Sequence, residues 1–452
     1  MSDTHTSDNP EEFESTDDSP VDALQAISIV QRGNLKTLEK TLRKQWRLGQ
    51  NIVLCWSADE RGLLVIFVPH YFLGNYCAAG EGQDNETFIR QLISGRRRKS
   101  RDDLFAVSER LDVSPTFIKL NTALNEDPQV LDGVEQLIKR YGLSYVESRA
   151  VLLFDIVEFS LFTPFEQASQ LNSLSYSLNS AYNKLLSQGI EINFSRTTTG
   201  DGYYVWNRQL GASANRDLFY FMLLVVADNA VARAASRGNT VPVIRTGYHI
   251  GGHYELYQAE GVNPSVFSYI VGDVTIELAR MLDIAQADQV LVGDFRCEAT
   301  GRHATPGQGA AGIVPGVGSM STPAFVSACD RELEVVAGTQ LSGKTIRTMH
   351  CHLTETSEQS AGAGPRRFLI VDKHGLSRNA YNLQVDIDLD GHSLALGLAE
   401  ERLPRLSVTS VVPKPKSIAP VANPNQPAAA EVVIDDLASM LKKRSNKTLK
   451  ED

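Results

Sequence analysis

The chain has 452 residues, ordinary apolar and charged content and a net charge of −10, which suits two or three soluble domains of roughly 150 residues each. That charge implies no general affinity for nucleic acid. Five cysteines (Cys55, Cys77, Cys297, Cys329 and Cys351) without a Cys-x-x-Cys spacing favour reduced thiols and a cytosolic setting over a disulfide framework.

Residues 1–20 carry much of the acidity, from Asp8 through Asp18, and too few large apolar groups to repay the entropy of folding; they read as a disordered tail rather than a secretory signal. Residues 21–147 read as a mixed N-terminal module of unknown role. It has a helix from Val21 into the forties and two strands, Asn51–Trp56 and Leu63–Val68, joined at Glu60-Arg61-Gly62. The longest apolar run, Gly62–Leu73, is broken by Pro69 and His70 and is too short to cross a bilayer, so no transmembrane segment is expected. A helix-rich part follows and contains the basic run Gly95–Arg101. That run reads first as a solvated loop or helix end, and otherwise as a contact for acidic lipid, nucleic acid or the acidic tail. Val130, Leu131, Val134, Leu137, Ile138 and Tyr141 recur at helical spacing and stop at Gly142.

From residue 148 the pattern changes. Arg149–Ile156 reads as a strand and Phe165–Leu186 as an amphipathic helix. Two strands, Glu191–Thr197 and Gly202–Trp206, flank a tight Gly-Asp-Gly turn. A strongly apolar helix, Leu218–Ala235, and strands Val243–Ile250 and Val266–Val271 come next. Then follow a helix, Val274–Ala285, and a strand, Val290–Val292. This βαββαβ order with a further βαβ predicts an α+β sheet with helices on one face, spanning 148–390. Residues 300–322 read as a flexible insertion. Strands return at Thr345–Leu353, Arg367–Asp372 and Tyr381–Ile387. Residues 391–431 read as a linker, and 432–452 as a terminal helix and tail. His350-Cys351-His352 would put two His on one face of a strand with no further ligand nearby, a poor metal site.

Two stretches carry chemistry. Leu152–Ser160 and Thr198–Val205 each bring an apolar strand to a turn that holds one Asp, Asp155 and Asp201. Either Asp alone reads better as a turn residue. As a pair on neighbouring strands they suit hard divalent ions, which bind through one or two carboxylates plus substrate phosphates.

Four segments stand in order: Phe154-Asp155-Ile156-Val157-Glu158-Phe159-Ser160, Thr199-Gly200-Asp201-Gly202-Tyr203-Tyr204, Arg245-Thr246-Gly247-Tyr248-His249-Ile250-Gly251-Gly252, and Val271-Gly272-Asp273 with Ala279-Arg280. Together they resemble the catalytic domain of the class III nucleotidyl cyclases, well over about 149–293 and loosely to 387. The resemblance implies a ferredoxin-like cyclase sheet and a homodimer with shared active sites. It implies cyclisation of a nucleoside triphosphate by its own ribose 3′-oxygen, with two Mg²⁺ or Mn²⁺ ions as cofactors. By the same resemblance Asp155, Ile156 and Asp201 are the metal-binding positions. Arg280 stabilises charge on the α-phosphoryl group, and Phe159, Ser160 and Lys373 contact the triphosphate. Thr197 and Tyr269 stand at the base-reading positions.

The chain departs from the family at four of these points. Ile276 replaces the Asn that orients the ribose, and Glu158 replaces a Gly in the phosphate turn. Thr197 and Tyr269 match neither the adenine nor the guanine pattern, which leaves a pyrimidine open. A non-catalytic nucleotide-binding relative is the alternative; a diguanylate-cyclase or polymerase-like palm lacks its Gly-Gly-[Asp/Glu] hairpin here.

Overall fold

The computed structural model describes residues 27–79, 84–261, 263–265, 267–298, 318–355, 365–371 and 375–403. The acidic tail, Lys373, most of the 300–322 insertion and everything from 404 onward lie outside these residues.

The N-terminal part comprises α1 (Ile29–Trp46), β1 (Asn51–Asp59), β2 (Gly62–Pro69), α2 (Phe72–Ala79), α3 (Asp84–Ile93), α4 (Arg101–Leu111), β3 (Thr116–Lys119) and α5 (Pro128–Arg140). The strands form an antiparallel sheet in the order β1-β2-β3. Leu38, Leu42 and Trp46 of α1 and Val130, Val134 and Ile138 of α5 pack on one face of it. Ile89, Leu92 and Ile93 of α3 and Leu104 and Val107 of α4 pack on the other, as alternation along β1 requires.

The basic run proves to be a joint rather than a patch. Arg97 is 0% exposed. Its guanidinium donates to the carbonyls of Val53, Leu54 and Leu143 and to Ser144 Oγ (3.1 Å), and its own N–H donates to Glu135 Oε1 at 2.6 Å. Arg98 pairs with Glu126, Arg101 with Asp59 and Arg96 with Asp132. Acids therefore pair three arginines of the cluster, and backbone carbonyls hold the guanidinium of a fourth.

The second part begins with β4 (Leu143–Ile156), η1 (Phe159–Leu161), α6 (Pro164–Ser187), β5 (Phe194–Thr198), β6 (Gly202–Asn207), α7 (Ala212–Ala235) and β7 (Ile244–Leu256). A two-residue ladder follows, β8 (Ala259–Glu260) with β9 (Asn263–Pro264), then β10 (Tyr269–Val271), α8 (Asp273–Ile284), β11 (Val290–Gly293), β12 (Arg296–Glu298), β13 (Ser319–Ser321) and α9 (Thr322–Glu332). The last elements are β14 (Gln340–Leu341), β15 (Lys344–Leu353), β16 (Arg367–Val371), β17 (Ser377–Leu389) and β18 (His392–Leu396). The main sheet has 11 strands, along the path β14-β15-β17-β11-β7-β4-β6-β5, with β10 on β7 and β16 and β18 on β17. Its β7-β4-β6-β5 portion has the 4-1-3-2 strand order of a ferredoxin-like βαββαβ unit, so the α+β class expected from sequence is what folds.

Local chemistry sets the boundaries. Pro164 opens α6 behind a capping box in which Thr163 and Glu166 satisfy each other's backbone N–H groups. The strand β4 buries Ala150, Leu152, Phe154 and Ile156 against α6 and α7 on one face. It buries Val151 and Leu153 against Val274, Leu278, Met281 and Leu282 of α8 on the other. The expectation of helices on one face holds for α6, α7 and α9. The exception is α8, whose own apolar stripe needs the opposite side of the same strand.

Two further differences have simple causes. By length and composition α7 could cross a bilayer, yet 67% of its apolar window is buried inside the protein. Arg216, Asp217 and Asp228 interrupt it, so a scan for unbroken apolar runs passes over it. The sheet also continues beyond residue 390, because Asp390 and Gly391 turn the chain into β18 rather than into a linker.

Candidate active site

Two strand ends meet at one edge of the sheet. In the register of β4, Asp155 lies opposite Gly202 on β6 and opposite Arg245 on β7. The Ile156 N–H donates to the Asp201 carbonyl at 2.9 Å, which ties the hairpin tip to the end of β4. The tip is fixed internally: Gly200 N donates to Thr198 Oγ1 (3.0 Å), and Thr199 Oγ1 donates to Asp201 Oδ1 (3.1 Å). Both glycines are needed. Gly200 has φ +103°, and a Cβ on Gly202 would stand 1.9 Å from the Phe154 carbonyl oxygen.

Asp155 is largely buried. Its Oδ2 accepts from Arg245 Nε at 2.6 Å, and Arg245 Nη1 donates to the Ala285 carbonyl at the end of α8 (3.3 Å). Burial pushes the Asp155 carboxyl above its ordinary range. Arg245 pulls it down, Asp201 and Asp283 push it up again, and the net direction is up. Three carboxylate fields therefore converge where one arginine offsets them. Burial, reinforced by Asp283 and Asp155, also lifts the Tyr204 phenol to about 12, and that phenol donates to the Thr275 carbonyl at 2.9 Å.

The turn after Asp155 is held from both sides. Val157 N donates to Val243 O at 2.9 Å, and Gln167 Nε2 donates to the carbonyls of Phe159 (3.0 Å) and Phe162 (3.1 Å). Glu158 sits at φ +57°, in the left-handed region that explains a Gly preference there, and its side chain is exposed. The short η1 begins directly after it. Phe159 and Ser160, at its start, present the first N–H groups of a helical turn, which lack intrahelical acceptors and suit an anion.

The remaining residues fall into two groups. Thr197 lies on β5 opposite Tyr204, close to the hairpin. Arg280 lies on α8, bonded to Asp283 at 2.9 Å, on the helix whose end touches Arg245. Tyr269 pairs with Leu256, at the opposite end of β7 from Arg245. A single chain therefore does not bring Tyr269 to Asp155. Sequence reasoning gives Arg245, Asp283 and Tyr204 no role; the spacing of Asp283 from Arg280, about one helical turn, is the available signal for Asp283.

Among the described residues no group of three or more His, Cys, Asp or Glu side chains forms a ready metal cage. His350 faces Asp330 (3.5 Å) and His352 bonds Gln384 (2.9 Å), so neither needs a metal. Asp155 and Asp201 do fit hard ions that take one or two carboxylates and leave their other positions to phosphate and water. A buried acid that its neighbours make costly to ionise is the donor a divalent cation relieves.

No protein-family model matches the chain, and no curated protein matches it. Solved structures do. The chain is similar to the guanylate cyclase domain of RhGC from Catenaria anguillulae in complex with GTP (13% identity, 54% of this chain and 98% of that one, TM-score 0.31). It is also similar to the non-canonical dimeric guanylyl cyclase domain of the RhoGC fusion protein from Blastocladiella emersonii (14%, 53% and 97%, TM-score 0.31). A third is the adenylyl cyclase CyaB from P. aeruginosa (12%, 53% and 95%, TM-score 0.30).

Proposed function

We propose that this chain is a divalent-metal-dependent nucleotidyl cyclase that converts a nucleoside triphosphate into a 3′,5′-cyclic nucleotide and pyrophosphate. The observation that carries this reading is the convergence of Asp155 and Asp201 at adjoining strand ends, beside a turn of backbone N–H groups. Asp155 and Asp201, with the Ile156 carbonyl, would hold the ions. When bound, such ions lower the pKa of an attacking hydroxyl and neutralise charge on the phosphates. Arg245 orients the Asp155 carboxylate through its 2.6 Å contact. The turn at Phe159 and Ser160 receives the triphosphate, and Arg280 balances charge that grows on the α-phosphoryl oxygens.

The active form is a homodimer in the cytosol. Support for the dimer comes from α8 and its surroundings. Ile276 and Ile284 flank Arg280 on one helical stripe and are 46% and 50% exposed, beside exposed Tyr269, Val271, Leu369 and Val371. A two-fold partner covering that stripe would carry Arg280 and Tyr269 to the other chain's aspartates. The five free cysteines fit a reducing compartment. Thr197 and Tyr269 carry no charge to select adenine or guanine, so a pyrimidine triphosphate, or weak discrimination, is proposed.

One observation favours a second reading, a nucleotide-binding module without turnover. Ile276 exposes a hydrocarbon where a ribose-orienting amide is expected. Incubating the purified full chain with each of the four ribonucleoside triphosphates and Mn²⁺, with products read by mass, decides between the two. Cyclic product from any of them supports the cyclase. Nucleotide binding without cyclic product from all four establishes the second reading instead.

A further inference from the structure

Directly behind the Asp155–Arg245 pair, on the opposite face of β7, lies a small cavity of about 120 Å³. Ile244 and Thr246, the neighbours of Arg245, line it. So do Asn229 and Arg233 of α7, Asp288, and Arg402 from the segment after β18. Side chains alternate along a strand, so Arg245 reaches Asp155 on one face while its two neighbours face this cavity on the other.

Polar and charged groups share this wall with aliphatic ones such as Val226 and Val290. Asn229 is 2% exposed, and its Nδ2 has no hydrogen-bond partner. A buried donor left unpaired is costly, so an unpaired buried amide in a cavity wall calls for an acceptor within the cavity. Arg233 and Asp288 neutralise each other at 2.6 Å. Arg402 is exposed at the mouth and makes no ion pair among the described residues. The net charge of the lining is thus that of one arginine, and the unmet groups are donors.

We infer that this cavity is a binding site for a small oxyanion, held by Asn229 Nδ2 and the Arg402 guanidinium. Size limits the ligand. Pockets for drug-sized molecules and cofactors run to about 300–1,000 Å³. A cavity of about 120 Å³ holds only a group the size of a carboxylate or a single phosphate. Charge excludes a cation, because the one carboxylate present is already paired. The site is independent of the triphosphate chemistry at Asp155, from which the thickness of β7 separates it.

The test is calorimetric titration of the full chain with sodium phosphate and, separately, sodium acetate, at ionic strength held constant with chloride. Melting temperature is followed in parallel, since a ligand that binds the folded form raises it. Saturable binding of either anion, weakened about tenfold or more by Arg402→Gln and by Asn229→Ala, is the expected result. Arg96→Gln, a remote exposed arginine, should bind as the parent does. The two anions separate a tetrahedral from a planar preference. Phosphate held only at the triphosphate turn would bind the parent and Arg402→Gln equally, and that equality overturns the inference. So does the absence of saturable heat and of any melting shift with both anions up to about 20 mM.

Discussion

The two faces of the main sheet are finished differently. On one, α6, α7 and α9 cover β4, β7 and β15. Phe219, Phe221, Leu224 and Val225 of α7 are fully enclosed, and Phe221 meets Phe194 with ring centroids 5.2 Å apart. On the other face a single amphipathic helix, α8, covers Val151, Leu153 and Trp206, and its outer stripe remains open beside the exposed Tyr269, Val271, Leu369 and Val371. A chain that can build three-helix cover on one side and leaves apolar surface on the other has not run short of hydrophobic residues. The open side is suited to a partner, and it is the side on which Asp155, Arg245 and Arg280 lie.

The sharpest way to break this comparison is at the chemistry the open face is proposed to share. Asp155→Ala and Asp201→Ala should each reduce cyclic nucleotide formation by about a thousandfold or more, with an unchanged circular dichroism spectrum. Arg280→Ala should be similarly inactive. Randomly mixed Asp155→Ala and Arg280→Ala subunits should regain about a quarter of parental activity, because half the dimers carry one intact site. No recovery, with mixed dimers shown to form, would mean that each chain completes its own site.

The closed face should respond in stability instead. Phe221→Ala removes an enclosed ring from the α7 side and should cost about 3–5 kcal/mol in urea unfolding. A cost below about 1 kcal/mol would show that this face is less well packed than the register implies.

On the α8 side of β7 lies a buried pH-sensitive group. Burial pushes the His249 imidazole down to about 4 from 6.5. Its Nδ1 is buried without a partner, and Glu277 lies 3.6 Å from Nε2. The neutral form is the one that folds. Stability from this group is therefore complete above pH 6.5 and lost as pH falls towards 4, because the unfolded chain takes up the proton first. The loss should be about 3 kcal/mol across that window. His249→Gln should flatten that part of the stability–pH curve; an unchanged slope would assign the proton uptake to another group.

The sequence shows this architecture unevenly, for physical reasons. Apolar alternation in β4 and the glycines around Asp201 are local signals, so the strand ends and the aspartate pair were legible. Arg97 was not, because nothing local separates an arginine that bonds the carbonyls of Val53, Leu54 and Leu143 from the exposed Arg96, which only pairs with Asp132 at the surface. The split of helices between faces was hidden too. It depends on which side of β4 the stripe of α8 meets, a fact of connection rather than of periodicity. Tyr269 could be aligned beside Thr197, but its register opposite Leu256 is fixed by the β7–β10 pairing, which no short motif encodes.

The smallest effect belongs to the outer stripe of α8, and it discriminates most finely. Ile276 and Ile284 are half exposed, so replacing either by Ala should change the unfolding free energy of the isolated chain by no more than about 0.5 kcal/mol. If a second copy covers the stripe, the same substitutions each remove buried side-chain carbon from an interface, and Ile276→Ala with Ile284→Ala together should weaken dimerisation about tenfold or more in analytical ultracentrifugation. Activity per subunit should then fall at low protein concentration and recover at high concentration, because Arg280 is delivered only in the dimer. Loss of activity that protein concentration does not restore would place the stripe's role inside the chain. Unchanged association together with unchanged activity would show that the open face is open in the working protein as well.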